Sequence, residues 1–121
     1  MEAVVDTNVI VSIIVEDDIH HEKRPKVWNS LSVAYVPTIV LFEFSYFLLK
    51  HKVGLYPLEE LIFDEKVKIV ESTKDDIYFA MKHNPVTYDD FNDLIILSVA
   101  RRLGVELITF DKDLEKLSKT L

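Results

Sequence analysis

Four short apolar runs rich in β-branched residues, Ala3–Val5, Val33–Val36, Val67–Val70 and Val105–Ile108, recur along the chain, each separated from the next by segments of helical pattern. Strands that alternate with helices need crossover connections, so they pair in parallel and their sheet is covered on both faces. The expected fold class is therefore α/β: a three-layer α/β/α arrangement around a central, mostly parallel sheet of four to five strands. The chain has 121 residues, 49% of them hydrophobic. That suits one domain spanning residues 1–121 with a core of its own.

The helices are bounded by local signals. The first is expected from Asn8 to about Val15, followed by a polar turn at Asp18–His21. Lys26–Leu31 has Val27, Trp28 and Leu31 on one face. Thr38 is a plausible N-cap for a helix running to about Lys50. Pro57 opens a helix through about Asp64, and Thr73 caps one from Lys74 to about Lys82. Asn84-Pro85 breaks the chain. A helix then leads from Asp89 to Leu103 and stops at Gly104. The last is expected from Asp111 to Leu117.

In open parallel sheets, ligands bind beyond the C-terminal ends of the strands. Asp6 closes the first strand, and Asp111 follows Ile108-Thr109-Phe110 after the last. Glu43 lies about one turn into the helix after the second strand. Asp93 lies in the first turn of the helix that ends at Gly104. Asp6, Glu43 and Asp93 sit among apolar neighbours, where an isolated carboxylate is costly unless it is paired, protonated or metal-bound. A single cluster at one sheet edge accounts for all of them. Simple capping is the competing account: Asp6 for the first helix, Asp89 and Asp90 for the helix of Asp93, Asp111 and Asp113 for the last. For Asp89, Asp90 and Asp113 capping is the preferred reading.

Several chemistries have no seat here. There is no cysteine and no Gly-x-Ser-x-Gly elbow. His20, His21, His51 and His83 fall outside the acidic blocks and read as surface residues. Acidic residues outnumber basic ones 21 to 14, for a net charge of −7. That argues against a nucleic-acid partner unless bound cations reverse the field of the clustered acids. Lys23, Arg24, Lys26, Lys50, Lys52 and Lys112 read first as solvated charges. Tyr46 and Tyr88 are candidates to stack on unpaired bases, whereas Phe110 suits the core. No basic segment precedes an apolar stretch, and no apolar run is long enough for a bilayer. A cytoplasmic protein without a membrane partner is expected.

Four blocks together resemble the PIN-domain family, especially VapC-type toxins and their archaeal relatives. They are Val-Val-Asp-Thr-Asn-Val-Ile, Val-Pro-Thr-Ile-Val-Leu-Phe-Glu-Phe, Asn-Asp-Leu-Ile-Ile-Leu-Ser-Val-Ala-Arg-Arg-Leu-Gly and Leu-Ile-Thr-Phe-Asp-Lys-Asp-Leu. The resemblance spans nearly the whole chain and implies catalytic, metal-holding acids at Asp6, Glu43, Asp93 and Asp111. Asp93 is the preferred register over Asp89 and Asp90, and Asp90 is a candidate to assist it. Thr7, Asn8 and Thr109 are supporting candidates that hold the carboxylates. The resemblance further implies a Mg²⁺- or Mn²⁺-dependent endoribonuclease acting on single-stranded RNA through metal-activated water. A small antitoxin and a homodimer are the implied partners, and part of Phe42–Leu49 is a candidate to face one of them. Two alternatives stand beside this reading. One is a PIN-like RNA- or protein-binding module that does not cut. The other is a phosphoacceptor receiver domain, whose acid spacing the chain does not match.

Overall fold

A computed structural model describes residues 1–14 and 24–121. In chain order the elements are β1 (Glu2–Val5), α1 (Thr7–Ile14), α2 (Arg24–Asn29), β2 (Val33–Pro37), α3 (Thr38–Lys50), α4 (Tyr56–Ile62), β3 (Val67–Val70), α5 (Lys74–Lys82), α6 (Tyr88–Leu103), β4 (Glu106–Ile108) and α7 (Lys112–Thr120). The turn expected at Asp18–His21, the helix end at Val15 and the residue Lys23 lie outside the described residues, as does the Arg24 side chain.

Among the described residues the sheet has four strands, all parallel, in the order β3-β2-β1-β4. β1 is central: Ala3 pairs with Ala34 of β2 and Val5 with Ile108 of β4. Its Ala3, Val4 and Val5 are all fully buried. Three successive buried residues in one strand mean that both sheet faces are covered, as a parallel sheet requires. Val9 and Ile10 of α1, Val40, Phe44 and Leu48 of α3, and Ile96 and Val99 of α6 complete one core with these strands. Among the described residues no helix is long and apolar enough to cross a membrane.

The chain steps outward from β1 through β2 to β3, then returns to the other side of β1 to place β4. The order therefore reverses between β1 and β4. In such sheets the C-terminal crevice at the reversal is where ligands sit.

Boundary shifts from the sequence expectation have local causes. β4 begins at Glu106 because the Val105 amide is taken by Ala100 O and the Gly104 amide by Arg101 O, closing α6. Gly104 adopts φ 68°, the left-handed conformation such a stop uses. Thr38 is the first helical residue of α3 and not its cap; Pro37 takes the cap position without a side-chain bond. α6 starts at Tyr88, one residue early, because Thr87 and Asp90 form a reciprocal capping box. The Thr73 cap is present as expected, again as a capping box, with Asp76.

Candidate active site

Asp6 leaves the C-terminal end of β1, its amide still bonded to Ile108 O of β4 at 2.9 Å. The residue is 5% exposed, and its carboxylate has one bond on each oxygen. Oδ1 accepts from the Thr7 amide at 2.8 Å, and Oδ2 accepts from the Thr109 hydroxyl at 2.7 Å. Thr109 Oγ1 also accepts from Asn8 Nδ2 at 3.3 Å and from the Asp111 amide at 2.9 Å. Asn8 Oδ1 accepts from the Phe110 amide at 3.0 Å. The β1–α1 and β4–α7 loops are thus stitched across the sheet reversal, with Asp6 at the seam. The three residues singled out as supports, Thr7, Asn8 and Thr109, all lie in this seam.

Glu43 projects from the second turn of α3 to the same edge. Its Oε1 accepts from the Thr7 hydroxyl at 2.7 Å, and its Oε2 accepts from Asn92 Nδ2 at 3.4 Å. Thr7 therefore touches both acids, Asp6 through its amide and Glu43 through its hydroxyl. Asn92 is a partner that sequence reasoning missed. Its signal was its place, a polar residue one turn before Ile95 and Ile96 on a buried helix face.

Asp93 comes from the second turn of α6 and not the first, because the helix begins at Tyr88; it is half-buried, with no hydrogen bond to its carboxylate among the described residues. Its acidity records its surroundings. Burial, then the charges of Asp6, Asp111, Glu43 and Asp89, push its pKa up to about 7. Burial also raises Asp6, against the pull of its Thr109 and Thr7 bonds, with the Asp111 charge adding to the rise. Glu43 is raised by burial, lowered in part by its Thr7 and Asn92 bonds, and raised again by Asp6 and Asp89. Asp6, Glu43, Asp93 and Asp111 are thus near enough to share one field, and they come from four separate segments of the chain.

Asp111 divides its carboxylate between two tasks. Oδ1 caps α7 by accepting from the Asp113 and Leu114 amides at 2.9 and 3.2 Å, which leaves Oδ2 for the site. Asp90 turns toward the capping box, its Oδ2 accepting from the Val86 and Thr87 amides at 3.3 and 3.2 Å. Asp89 is the flanking acid whose charge reaches both Glu43 and Asp93.

No cationic side chain neutralises this group among the described residues. The ion pairs there are Arg102–Asp76 and Lys119–Glu115, neither involving a site acid. Mutually repelling carboxylates without a counter-charge are a hard-oxygen donor set, which fits Mg²⁺ or Mn²⁺. Among the described residues no three acid or histidine side chains close into a ligating group. The fit is therefore to an ion that keeps several waters, as Mg²⁺ does, and not to an all-protein cage.

Open ground flanks the acids. Ile39, Phe42, Glu43, Tyr46, Tyr88 and Asp89 line a groove of about 560 Å³. Phe42, Tyr46 and Tyr88 are 70%, 67% and 75% exposed, whereas Phe44 and Leu48 on the opposite face of α3 are buried. The Lys50 ammonium lies over the Tyr46 ring at 5.8 Å. His51 and His83 pack on Phe47 and Phe79, and His83 Nδ1 is 2.8 Å from Phe79 O.

The chain matches the model of the PIN domain family over residues 3–120, and it belongs to that family. This sets aside the receiver-domain alternative. The fold is similar to the crystal structure of VapC20 from Mycobacterium tuberculosis, described as a sarcin-ricin loop cleaving toxin. The TM-score is 0.81 at 21% identity, over 95% of this chain and 94% of that one. It is also similar to VapBC2 from Rickettsia felis, described as bound to a DNA fragment from their promoter. There the TM-score is 0.67 at 18% identity, over 96% of this chain and 92% of that one. No curated protein matches the sequence.

Proposed function

We propose that this PIN-domain chain is a metal-dependent endoribonuclease that cuts single-stranded RNA, and that it is the toxin of a toxin–antitoxin pair. The observation that carries the reading is the shared field of Asp6, Glu43, Asp93 and Asp111 at the sheet reversal, with no cationic side chain paired to it among the described residues. The description of VapC20 as a toxin that cleaves the sarcin-ricin loop supports RNA as the polymer. The Rickettsia felis VapBC structure supports a small antitoxin as partner. The exposed Phe42, Tyr46 and Leu49 face of α3 is the part of the surface we assign to partner contact, with the antitoxin or in a homodimer. We place the protein in the cytoplasm.

Bound Mg²⁺ or Mn²⁺ would supply a water of lowered pKa and a counter-charge for the phosphodiester. The chain's own residues hold that ion and fix its surroundings. Asp6 and Asp93 would be its direct ligands. Glu43 and the uncommitted Oδ2 of Asp111 would bind it directly or through waters, or orient the attacking water. Thr109 and Thr7 keep the Asp6 carboxylate in one orientation, since each of its oxygens has one lone pair taken and one left for the site.

With water as nucleophile, the ribose 2′-hydroxyl next to the scissile phosphate is not consumed. An RNA oligonucleotide carrying a single 2′-deoxy sugar at the cut position is the test. It is expected to be cut still, leaving no 2′,3′-cyclic phosphate by mass spectrometry. Loss of cutting at that sugar, with cyclic phosphate ends on the unmodified RNA, would contradict the reading.

A further inference from the structure

Asn92 is 1% exposed, on the face of α6 that continues through Ile95, Ile96 and Val99 into the core. A stable core would place an apolar residue there. Asn92 instead leaves its Oδ1 buried without any hydrogen-bond partner. An orphaned buried acceptor costs free energy that an apolar side chain of similar size would avoid. Turning the amide over gives no relief, because Oδ1 would then face the Glu43 carboxylate. The favourable contact Asn92 makes with its amide is the donation from Nδ2 to Glu43 Oε2 at 3.4 Å.

Glu43 needs such a contact more than Asp6 or Asp111 does. Asp6 and Asp111 have short side chains held by amides at the starts of α1 and α7. Glu43 has a longer, more flexible side chain, half-buried in the second turn of α3, and ordering it costs rotamer entropy. Two donors from different elements meet it, one on each oxygen: the Thr7 hydroxyl from α1 and the Asn92 amide from α6. Together they fix both the reach and the plane of the carboxylate.

We propose that Asn92 is a positioning residue that clamps Glu43 against Thr7, at the expense of core stability, so that the Glu43 carboxylate is preset for a divalent cation. The cation part of this inference rests on the function proposed above; the clamp itself does not.

Asn92→Leu and Asn92→Ala, made in the full chain, test it through three readouts. In chelator, the melting midpoint is expected to equal or exceed that of wild type for whichever variant packs better. In the same metal-free samples, ¹³C relaxation of the Glu43 side chain is expected to show new mobility. Mn²⁺ affinity by calorimetry is expected to fall roughly ten- to a hundredfold. Asn92→Asp, of nearly the same shape but with an acceptor facing Glu43, is expected to behave no better than Asn92→Leu. Unchanged Glu43 order in both Asn92→Leu and Asn92→Ala overturns the clamp. Altered order with wild-type Mn²⁺ affinity overturns its link to the cation. If the wild-type protein binds Mn²⁺ but cuts no RNA, the nuclease reading fails and these readouts still decide the role of Asn92. If it binds no Mn²⁺, the proposed function and the cation link fall together, and Glu43 order alone decides the clamp.

Discussion

The Thr109 hydroxyl donates to Asp6 Oδ2 at 2.7 Å, joining two residues 103 positions apart in the sequence. The same oxygen accepts from Asn8 and from the Asp111 amide, so its hydrogen-bonding capacity is full. Thr109→Val keeps the shape and removes all three bonds. It is expected to lower the RNA cleavage rate about 10- to 100-fold, as loss of a ligand-orienting partner does. It also leaves the Asp111 amide and a buried Asp6 oxygen unpaired, with a stability loss of about 1–3 kcal/mol in a urea titration. Thr109→Ser is expected to recover most of both. Wild-type cleavage by the valine variant would remove Thr109 from the site.

Asp93 gives a pH signature in the absence of metal. Its folded pKa, about 7, lies above the ordinary 3.8, so the folded chain holds a proton that the unfolded chain has released between those values. The stability this provides is complete below about pH 4 and is lost as pH rises toward 7. Burial acts the same way on Asp6 and Glu43. In chelator, the melting midpoint is expected to fall from pH 5 to pH 8. Asp93→Asn is expected to flatten that fall and to be more stable than wild type at pH 8 by roughly 1 kcal/mol. That is well below the full shift, because the half-exposed side chain is screened. Adding Mn²⁺ at pH 8 is expected to raise wild type and not Asp93→Asn.

The fold was legible in the sequence to the extent that it depended on local pattern. The four β-branched runs became the four strands, and Thr73 and Gly104 bounded helices where their chemistry predicted. Thr38 was misplaced by one because proline's fixed φ lets Pro37 precede a helix without a side-chain cap. The candidate acids stood out in the sequence by two signals: Asp6, Glu43 and Asp93 by their apolar neighbours, Asp111 by its place just after the last strand. Asn92 was not, since a single asparagine beside three acidic neighbours, Asp89, Asp90 and Asp93, carries no periodic signal. Only α3 packing near α6 reveals that its amide meets Glu43. Asp89 and Asp90 look alike in sequence, and the capping geometry alone separates them, turning Asp90 toward Thr87.

The buried pair between α5 and α6 has a structural task away from the acids. Asp76 is 1% exposed and accepts from Arg102 Nη2 at 2.9 Å, Ser98 Oγ at 2.8 Å and the Thr73 amide at 2.9 Å. Burial alone would raise its pKa, but Arg102 and the other donors hold it below the usual range. Arg102→Ala strands that charge and is expected to cost toward the low end of ~3–5 kcal/mol, since the arginine is partly exposed. The depressed pKa means this stability is present above about pH 4 and is lost as pH falls further. Acid unfolding monitored by circular dichroism is expected to move to higher pH in Arg102→Ala. An unchanged acid midpoint would contradict the assignment.

Gly104 holds φ 68° at the end of α6, and a Cβ there would meet nothing within 4 Å. Gly104→Ala therefore tests backbone strain free of any clash. About 1 kcal/mol of stability, a few degrees in melting midpoint, is expected to be lost, with cleavage unaffected below the transition.

The most direct test of the central claim is the cleavage rate of an end-labelled single-stranded RNA in Mn²⁺, measured for wild type, for wild type with chelator and for Asp6→Asn. The four acids acting as one cation site predict cleavage by wild type alone, with chelator and Asp6→Asn each lowering the rate by at least about 100-fold, the order lost with one source of charge stabilisation in the transition state. Cleavage that persists in chelator and in Asp6→Asn would contradict it.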